Sequence, residues 1–347
     1  MAFTIEEAFD RMLEVGGSDL LISCGTAPRI RRDGRLEALH GPEMTPETVE
    51  PMLRQLLDEC QWADLVAHRH VDFAFTWRER VRIRGNAYFQ RNTLAAAFRM
   101  LPLDIPSFHE LGVPDSVYKL IDRHQGLILV TGPTGSGKST TQAAMIDHIN
   151  RHRPCHIVTV EDPIEYVHVH RAAIVDQRQV GIDTPSFVDA LRAVFREDPD
   201  VVLIGEMRDL ETISAALTIA ETGHLVLATL HTNDASQSVD RILDSFPSGQ
   251  AAQARVQLSA CLAGVIYQQL LPAVVGGRVA AFEILIVTSP VRALIKDGKT
   301  NQLRNVMQTN LREGSQTLER SLSQLLQAGM VAERDARARS LYPQEIG

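Results

Sequence analysis

Four short apolar runs mark the second part of the chain: Leu127 to Val130, Ile157 to Val160, Val201 to Ile204, and Leu225 to Leu230. Stretches of helical periodicity separate them. Strands that alternate with helices in this way predict a mostly parallel sheet. One helix is legible in detail: Thr184 is placed to cap it, Pro185 suits its first position, and Phe187, Leu191, Val194 and Phe195 share a face before Pro199 ends it. The first part of the chain has a different texture. A helical opening gives way to strand-like pieces around a Gly34 turn, from Arg29 to Leu36, and again from Val81 to Phe89, which suggests a small α+β domain. Prolines at Pro102, Pro106 and Pro114 interrupt the passage between the two textures. The expected division is a domain over 1–100, a linker over 101–117 and an α/β domain over 118–347.

Composition narrows the class without naming it. The 347 residues are 44% hydrophobic and 22% charged, which is globular rather than disordered. A net charge of −8 and an aromatic content of 5% argue against a global attraction to nucleic acid or anionic lipid, and against base-stacking platforms. The amino terminus is acidic where a signal peptide would be basic, and no apolar run approaches the roughly 18 residues that span a bilayer. A cytoplasmic location is the expectation. Cys24, Cys60, Cys155 and Cys261 are scattered, with no C-x-x-C pair to suggest zinc or a disulfide framework.

The chemistry gathers where the apolar runs end, and in an open parallel sheet ligands bind outside the carboxyl ends of the strands. After the first run comes Gly132-Pro133-Thr134-Gly135-Ser136-Gly137-Lys138-Ser139, with Thr140 next. This is the phosphate-loop pattern G-x-x-x-x-G-K-[ST]: glycines let backbone N–H groups turn toward phosphates, while the lysine and the hydroxyl reach the terminal phosphates and Mg²⁺. The chain has only four lysines, so a chance match is improbable. ATP and Mg²⁺ are therefore the expected ligands. After the second run stand Glu161-Asp162-Pro163-Ile164-Glu165, and after the third Gly205-Glu206-Met207-Arg208-Asp209. Glu206 suits the carboxylate that Mg²⁺ needs near Ser139, leaving Asp162 and Glu165 for metal support and water activation in an undecided order. After the fourth run stand His231-Thr232-Asn233, where a neutral imidazole could hydrogen-bond a γ-phosphate and report its loss. His224 precedes the same run.

Together these segments resemble the type IV pilus retraction ATPases, the twitching-motility (PilT-type) motors within the bacterial secretion ATPases. The resemblance spans nearly the whole chain. It is carried by the phosphate loop, an aspartate box at Glu161 to Glu165, a Walker B segment from Arg196 to Asp209, and a histidine box from Ala220 to Thr232. It implies a PAS-like N-terminal domain and a RecA-like ATPase domain with a C-terminal helical part. Lys138 would bind phosphates, Ser139 and Glu206 would serve Mg²⁺, Glu165 would activate water, and His224 and His231 would couple nucleotide state to shape. Members close into homo-hexameric rings in which one subunit lends arginines to its neighbour's nucleotide. Arg82 and Arg84, in Val81-Arg82-Ile83-Arg84, look like those arginines. An inner-membrane platform protein would be the partner, the fibre would be engaged indirectly, and the location would be the cytoplasmic face of the inner membrane.

Assembly and secretion relatives usually add an N-terminal domain and a four-cysteine element, and Gln268 to Ile286 carries no cysteine. That favours retraction. The family's Ser-Asp-Leu-His segment reads Ser18-Asp19-Leu20-Leu21 here, and its Ala-Ile-Arg-Asn-Leu-Ile-Arg motif reads Pro290 to Lys296, keeping Arg292, Leu294 and Ile295. The other readings are an assembly or type II secretion ATPase, an accessory subunit that binds ATP without hydrolysing it, and a nucleic-acid translocase. The run Arg29, Arg31, Arg32, Arg35 reads as a solvated turn.

Overall fold

The structure is a computed structural model that describes residues 3–32, 35–39, 41–78, 81–101 and 104–347. The expected Gly34 turn and Pro102 lie outside these residues. The chain divides into two compact units, Met1–Asp104 with Glu165–Val167, and Ile105–Ile164 with His168–Gly347. Among the described residues no helix is long and apolar enough to cross a membrane.

The N-terminal unit is built on six antiparallel strands: β1 (Asp19–Ser23), β2 (Arg29–Arg32), β3 (Arg35–Ala38), β4 (His70–Trp77), β5 (Val81–Gln90) and β6 (Thr93–Leu101), in the order β3-β2-β1-β6-β5-β4. Helices Ile5–Glu14, Pro46–Leu56 and Glu59–His68 supply the rest of its core, in which Phe9 meets Phe98 edge-on at 5.0 Å. Period-two alternation sorts β5 cleanly: Val81, Ile83 and Ala87 are buried, while Arg82 and Arg84 are on the other face. On that face Arg84 stands opposite Arg99 of β6, and Arg99 and Arg31 both reach Asp19 of β1, at 2.8 and 3.8 Å. The strand-like pieces expected from Arg29 to Leu36 are β2 and the start of β3, so Arg29, Arg31, Arg32 and Arg35, read as a solvated turn, lie within paired strands instead.

The larger unit holds seven strands, β7 (Gly126–Thr131), β8 (His156–Glu161), β9 (Ile174–Gln179), β10 (Val201–Ile204), β11 (Leu225–Leu230), β12 (Leu262–Pro272) and β13 (Arg278–Ile286), in the order β13-β12-β7-β11-β10-β8-β9. All pairs are parallel except the β12–β13 hairpin. The α/β class and mostly parallel sheet expected from the four apolar runs are borne out. Alternate residues of β7 serve the two faces: Leu127 and Leu129 pack with Ile213 and Leu217, and Ile128 and Val130 with Met145 and Ile149. Each such side chain contributes about 1.5–3 kcal/mol on burial, which is why strands covered on both faces are unbroken apolar runs.

Helix Phe187–Val194 corrects a local expectation. Its cap is Ser186, whose Oγ accepts the Asp189 N–H at 3.1 Å, and not Thr184. Thr184 is buried and donates its hydroxyl to the Ser186 carbonyl at 3.2 Å. Phe195, expected on the apolar face, follows the helix and is exposed. The stretch 101–117 carries the short helix Phe108–Leu111, whose Phe108 ring packs on Tyr118 at 4.8 Å.

Candidate active site

Three of the predicted side chains meet at the carboxyl ends of β7, β10 and β11. Parallel pairing brings the ends of these strands to one side of the sheet, β7 and β11 level with Leu230 opposite Thr131, and β10 ending two residues earlier with Ile204 opposite Ala228. The residues that follow them therefore share one edge of the sheet. Lys138, the first residue of helix Lys138–His152, is buried and folds its Nζ back to donate to the carbonyls of Gly132 at 2.9 Å and Pro133 at 3.1 Å. The same Nζ lies 3.4 Å from His231 Nδ1, and His231 Nε2 lies 3.3 Å from Glu206 Oε1. A lysine ammonium can only donate, so Nδ1 is the acceptor and Nε2 carries the proton it donates to Glu206.

Arg208 closes the other side of Glu206, its guanidinium 2.8 Å from Oε2. Partial burial pushes the Glu206 carboxyl up. The Arg208 hydrogen bond and charge, with the His231 imidazole and the Lys138 ammonium close by, outweigh that and hold it below the ordinary glutamate value. Asp162 is exposed after β8, and its charge is felt at Arg208. Ser139 is exposed in the first turn of the helix, with Thr140 beside it. These are hard oxygen donors of the kind Mg²⁺ takes.

The loop itself is shaped by backbone that glycine adopts without strain. Gly132, Gly135 and Gly137 have φ of 143°, 77° and 88°. A Cβ on Gly132 would sit 2.3 Å from the Gln268 carbonyl oxygen and 2.7 Å from Ser136 Oγ. Gln268 of β12 braces the loop by donating Nε2 to the Ser136 carbonyl at 2.6 Å. Ser136 Oγ and Gln268 Oε1 are buried with no hydrogen-bond partner among the described residues. A cradle with a buried hydroxyl unsatisfied and a 15-residue helix starting at its rim fits a phosphate group.

A set of hydroxyls fixes the segment after β11. Thr232 Oγ1 meets Ser238 Oγ at 2.6 Å, Ser238 reaches Thr131 Oγ1 at 3.3 Å, and Thr229 Oγ1 donates to the Gly205 carbonyl. His224 is elsewhere. It precedes β11, with Nδ1 3.1 Å from the Ile219 carbonyl and 3.2 Å from Thr222 Oγ1. Six residues of extended strand, about 20 Å, separate it from His231. Arg82, Arg84 and Glu165 belong to the other compact unit. Sequence reasoning did not single out Gln268 as a site residue, because nothing local marks a strand residue that reaches the loop from 132 positions away.

A parallel α/β sheet with a glycine cradle, a lysine and a strand-end carboxylate at one edge defines a P-loop ATPase. The profile of the type II/IV secretion system proteins matches residues 101–276. The chain is 43% identical over 331 residues to the type IV pilus retraction ATPase PilT of Pseudomonas aeruginosa, covering 95% of this chain and 96% of that one. It is 46% identical over 314 residues to a twitching motility protein of Neisseria gonorrhoeae, covering 90% and 84%. A crystal structure of the pilus retraction motor PilT with bound ADP superposes with a TM-score of 0.93 at 47% identity, covering 99% of this chain and 98% of that one. The chain belongs to the type II/IV secretion system protein family, in its pilus retraction ATPase branch, as the four ordered motifs led us to expect.

Proposed function

We propose that this chain hydrolyses ATP to drive retraction of a type IV pilus, removing pilin from the base of the fibre. The observation that carries the reading is the Lys138–His231–Glu206 chain of contacts beside the loop, in a protein that matches a pilus retraction ATPase along nearly its whole length. Gly132, Pro133, Thr134, Gly135, Ser136, Gly137, Lys138, Ser139 and Thr140 cradle the phosphates of ATP. Ser139 and Glu206 hold Mg²⁺, with Asp162 in support. When bound, the Mg²⁺–nucleotide pair supplies the bond to be broken and neutralises charge on the phosphates.

The protein's own groups do the rest. Lys138 exchanges the Gly132 and Pro133 carbonyls for phosphate oxygens. Glu165 accepts the proton of the attacking water, and His231 hydrogen-bonds the γ-phosphate. His224 acts through β11 and not by touching phosphate, because the length of the strand lies between. The subunits form a homo-hexameric ring in which Arg82 and Arg84 reach the neighbour's nucleotide. The ring works in the cytoplasm against an inner-membrane platform protein, with the fibre engaged indirectly.

Phosphate release from wild type, Lys138→Ala and Glu165→Gln tests the chemistry. Glu165→Gln is expected to keep nucleotide affinity and lose roughly 10²- to 10⁴-fold in rate, and Lys138→Ala to bind nucleotide weakly. Negligible release from wild type and Glu165→Gln alike, with binding intact, would make the chain an accessory ATP-binding subunit. In the host, deletion is expected to leave excess, immobile surface pili. Loss of pili would make it an assembly motor.

A further inference from the structure

Gln268 of β12 meets the phosphate loop along its whole length. It is 1% exposed, and its Nε2 donates to the Ser136 carbonyl at 2.6 Å. Its own carbonyl oxygen lies 2.3 Å from where a Cβ on Gly132 would sit, and its Nε2 lies 3.1 Å from where one on Gly137 would sit. The Lys138 Nζ is anchored on the same Gly132, through its carbonyl at 2.9 Å. The support beneath the loop is rigid. β12 is an interior strand, paired to β13 from Gly264 to Pro272 and to β7 from Leu262 to Tyr267. Side chains alternate along it, so Gln268 faces the loop while Tyr267 and Leu271, on the opposite face, pack with Leu318, Leu322 and Ala336.

The polar head of Gln268 is costly for packing alone. Its Oε1 is buried with no partner among the described residues, and an apolar side chain of the same length would fill the space without leaving an acceptor unpaired. Turned over, the amide would set oxygen against oxygen at Ser136, so the donating orientation is the one the contact allows. The effect of the bond follows from the shape of a single peptide. Ser136–Gly137 is trans, and in a planar trans peptide the C=O and the N–H point in opposite directions. With the Ser136 carbonyl held toward β12, the Gly137 N–H is aimed away from the strand and into the loop, at the start of helix Lys138–His152. An N–H so placed is the donor that a loop of this kind offers to phosphate.

We propose that Gln268 is a positioning residue for the phosphates of ATP: by holding the Ser136 carbonyl, it presents the Gly137 N–H to them before the nucleotide arrives. The inference rests on the reading of Gly132 to Thr140 as the phosphate cradle. Gln268 acts through the loop and touches no phosphate. A donor fixed in advance needs no reorientation on binding, whereas a loop released from β12 must first turn that peptide. A requirement follows that packing does not share. Position 268 must carry a hydrogen-bond donor, and a side chain of equal size without one does not serve.

Calorimetric titration of the full chain with ADP, for wild type, Gln268→Met and Gln268→Glu at about pH 5.5 and about pH 8, tests it; the two conditions bracket a glutamate raised by burial. Gln268→Met keeps the length and removes the donor, and is expected to bind ADP roughly tenfold more weakly than wild type at both pH values. Gln268→Glu separates the donor from the shape. Ionised, it turns only acceptors toward the Ser136 carbonyl; protonated, it donates an O–H. Its deficit against wild type is therefore expected to be roughly tenfold or more at the higher pH and to shrink to about twofold at the lower. A side chain that serves packing alone would lower the melting temperature of Gln268→Met and leave the ADP affinity of the folded protein unchanged, which would overturn the proposal. A Gln268→Glu deficit as large at the lower pH as at the higher would overturn it too. If Gln268→Met does not melt cooperatively, the pH dependence of Gln268→Glu decides alone. Wild type that binds no ADP would overturn the cradle reading itself, and the inference with it.

Discussion

Glu206 shows how one residue is tuned by its neighbours. It is held between Arg208 at 2.8 Å and His231 at 3.3 Å, and their combined effect overcomes the burial that would otherwise favour its neutral form. Arg208 keeps Glu206 ionised at a lower pH than burial alone would allow, as the metal-supporting role proposed for it requires. The sign of the consequence is fixed. Arg208→Ala removes the largest lowering influence, the Glu206 pKa rises, and the acid limb of kcat/KM for ATP moves to higher pH. Phosphate release measured across pH for wild type and Arg208→Ala reads this directly. An acid limb that stays in place would mean that Glu206 is not the group whose ionisation limits the free enzyme.

At the scale of elements, the glycine loop separates two kinds of constraint. Gly132 needs its conformation and also its missing side chain, since a Cβ would press on the Gln268 carbonyl at 2.3 Å, whereas Gly135 has φ of 77° and nothing within 4 Å. Gly132→Ala is expected to cost about 2–3 kcal/mol and to weaken ADP binding at least about tenfold, because the β12 backbone cannot give way. Gly135→Ala carries only the left-handed strain, about 1 kcal/mol. Thermal melts and ADP titrations of the two variants separate these outcomes, and equal effects would remove Gln268 as the brace. The loop was legible in the sequence because its chemistry is local: a buried strand, a fixed spacing, a helix. Lys138, Glu206 and His231 were legible for the same reason, each following an unbroken apolar run. Gln268 was not, because β12 continues from helix Ala251–Cys261 without a break and its partner β13 carries a buried acidic side chain in mid-strand. Edge strand β9 is part exposed, so it offers no apolar run either. The Thr184 cap failed on competition: with a buried hydroxyl bonded forward to Ser186, Thr184 belongs to the preceding turn and Ser186 caps instead. His224 and His231 are close in sequence, but a strand sends them to opposite edges of the sheet.

At the scale of the whole molecule, the question is whether one chain completes its own site. The arginine face of the N-terminal sheet contains an asymmetry: Asp19 binds Arg99 at 2.8 Å and stands 3.8 Å from Arg31, while Arg84, directly across from Arg99, forms no ion pair with an acid among the described residues. A cation left without a carboxylate beside two that share one is suited to an anion brought by another molecule. In a closed ring every interface is the same, so loss of Arg84 and loss of Lys138 would disable opposite sides of each site. Arg84→Ala and Lys138→Ala are each expected to lose roughly 10³-fold or more in phosphate release while eluting at the same size as wild type. Mixed in equal amounts and allowed to exchange subunits, they are expected to regain activity. Roughly a quarter of the interfaces then join an intact loop from one variant to an intact arginine from the other. If Arg84 serves its own subunit's nucleotide, no mixture contains a complete site, and the mixed sample stays as inactive as either variant alone.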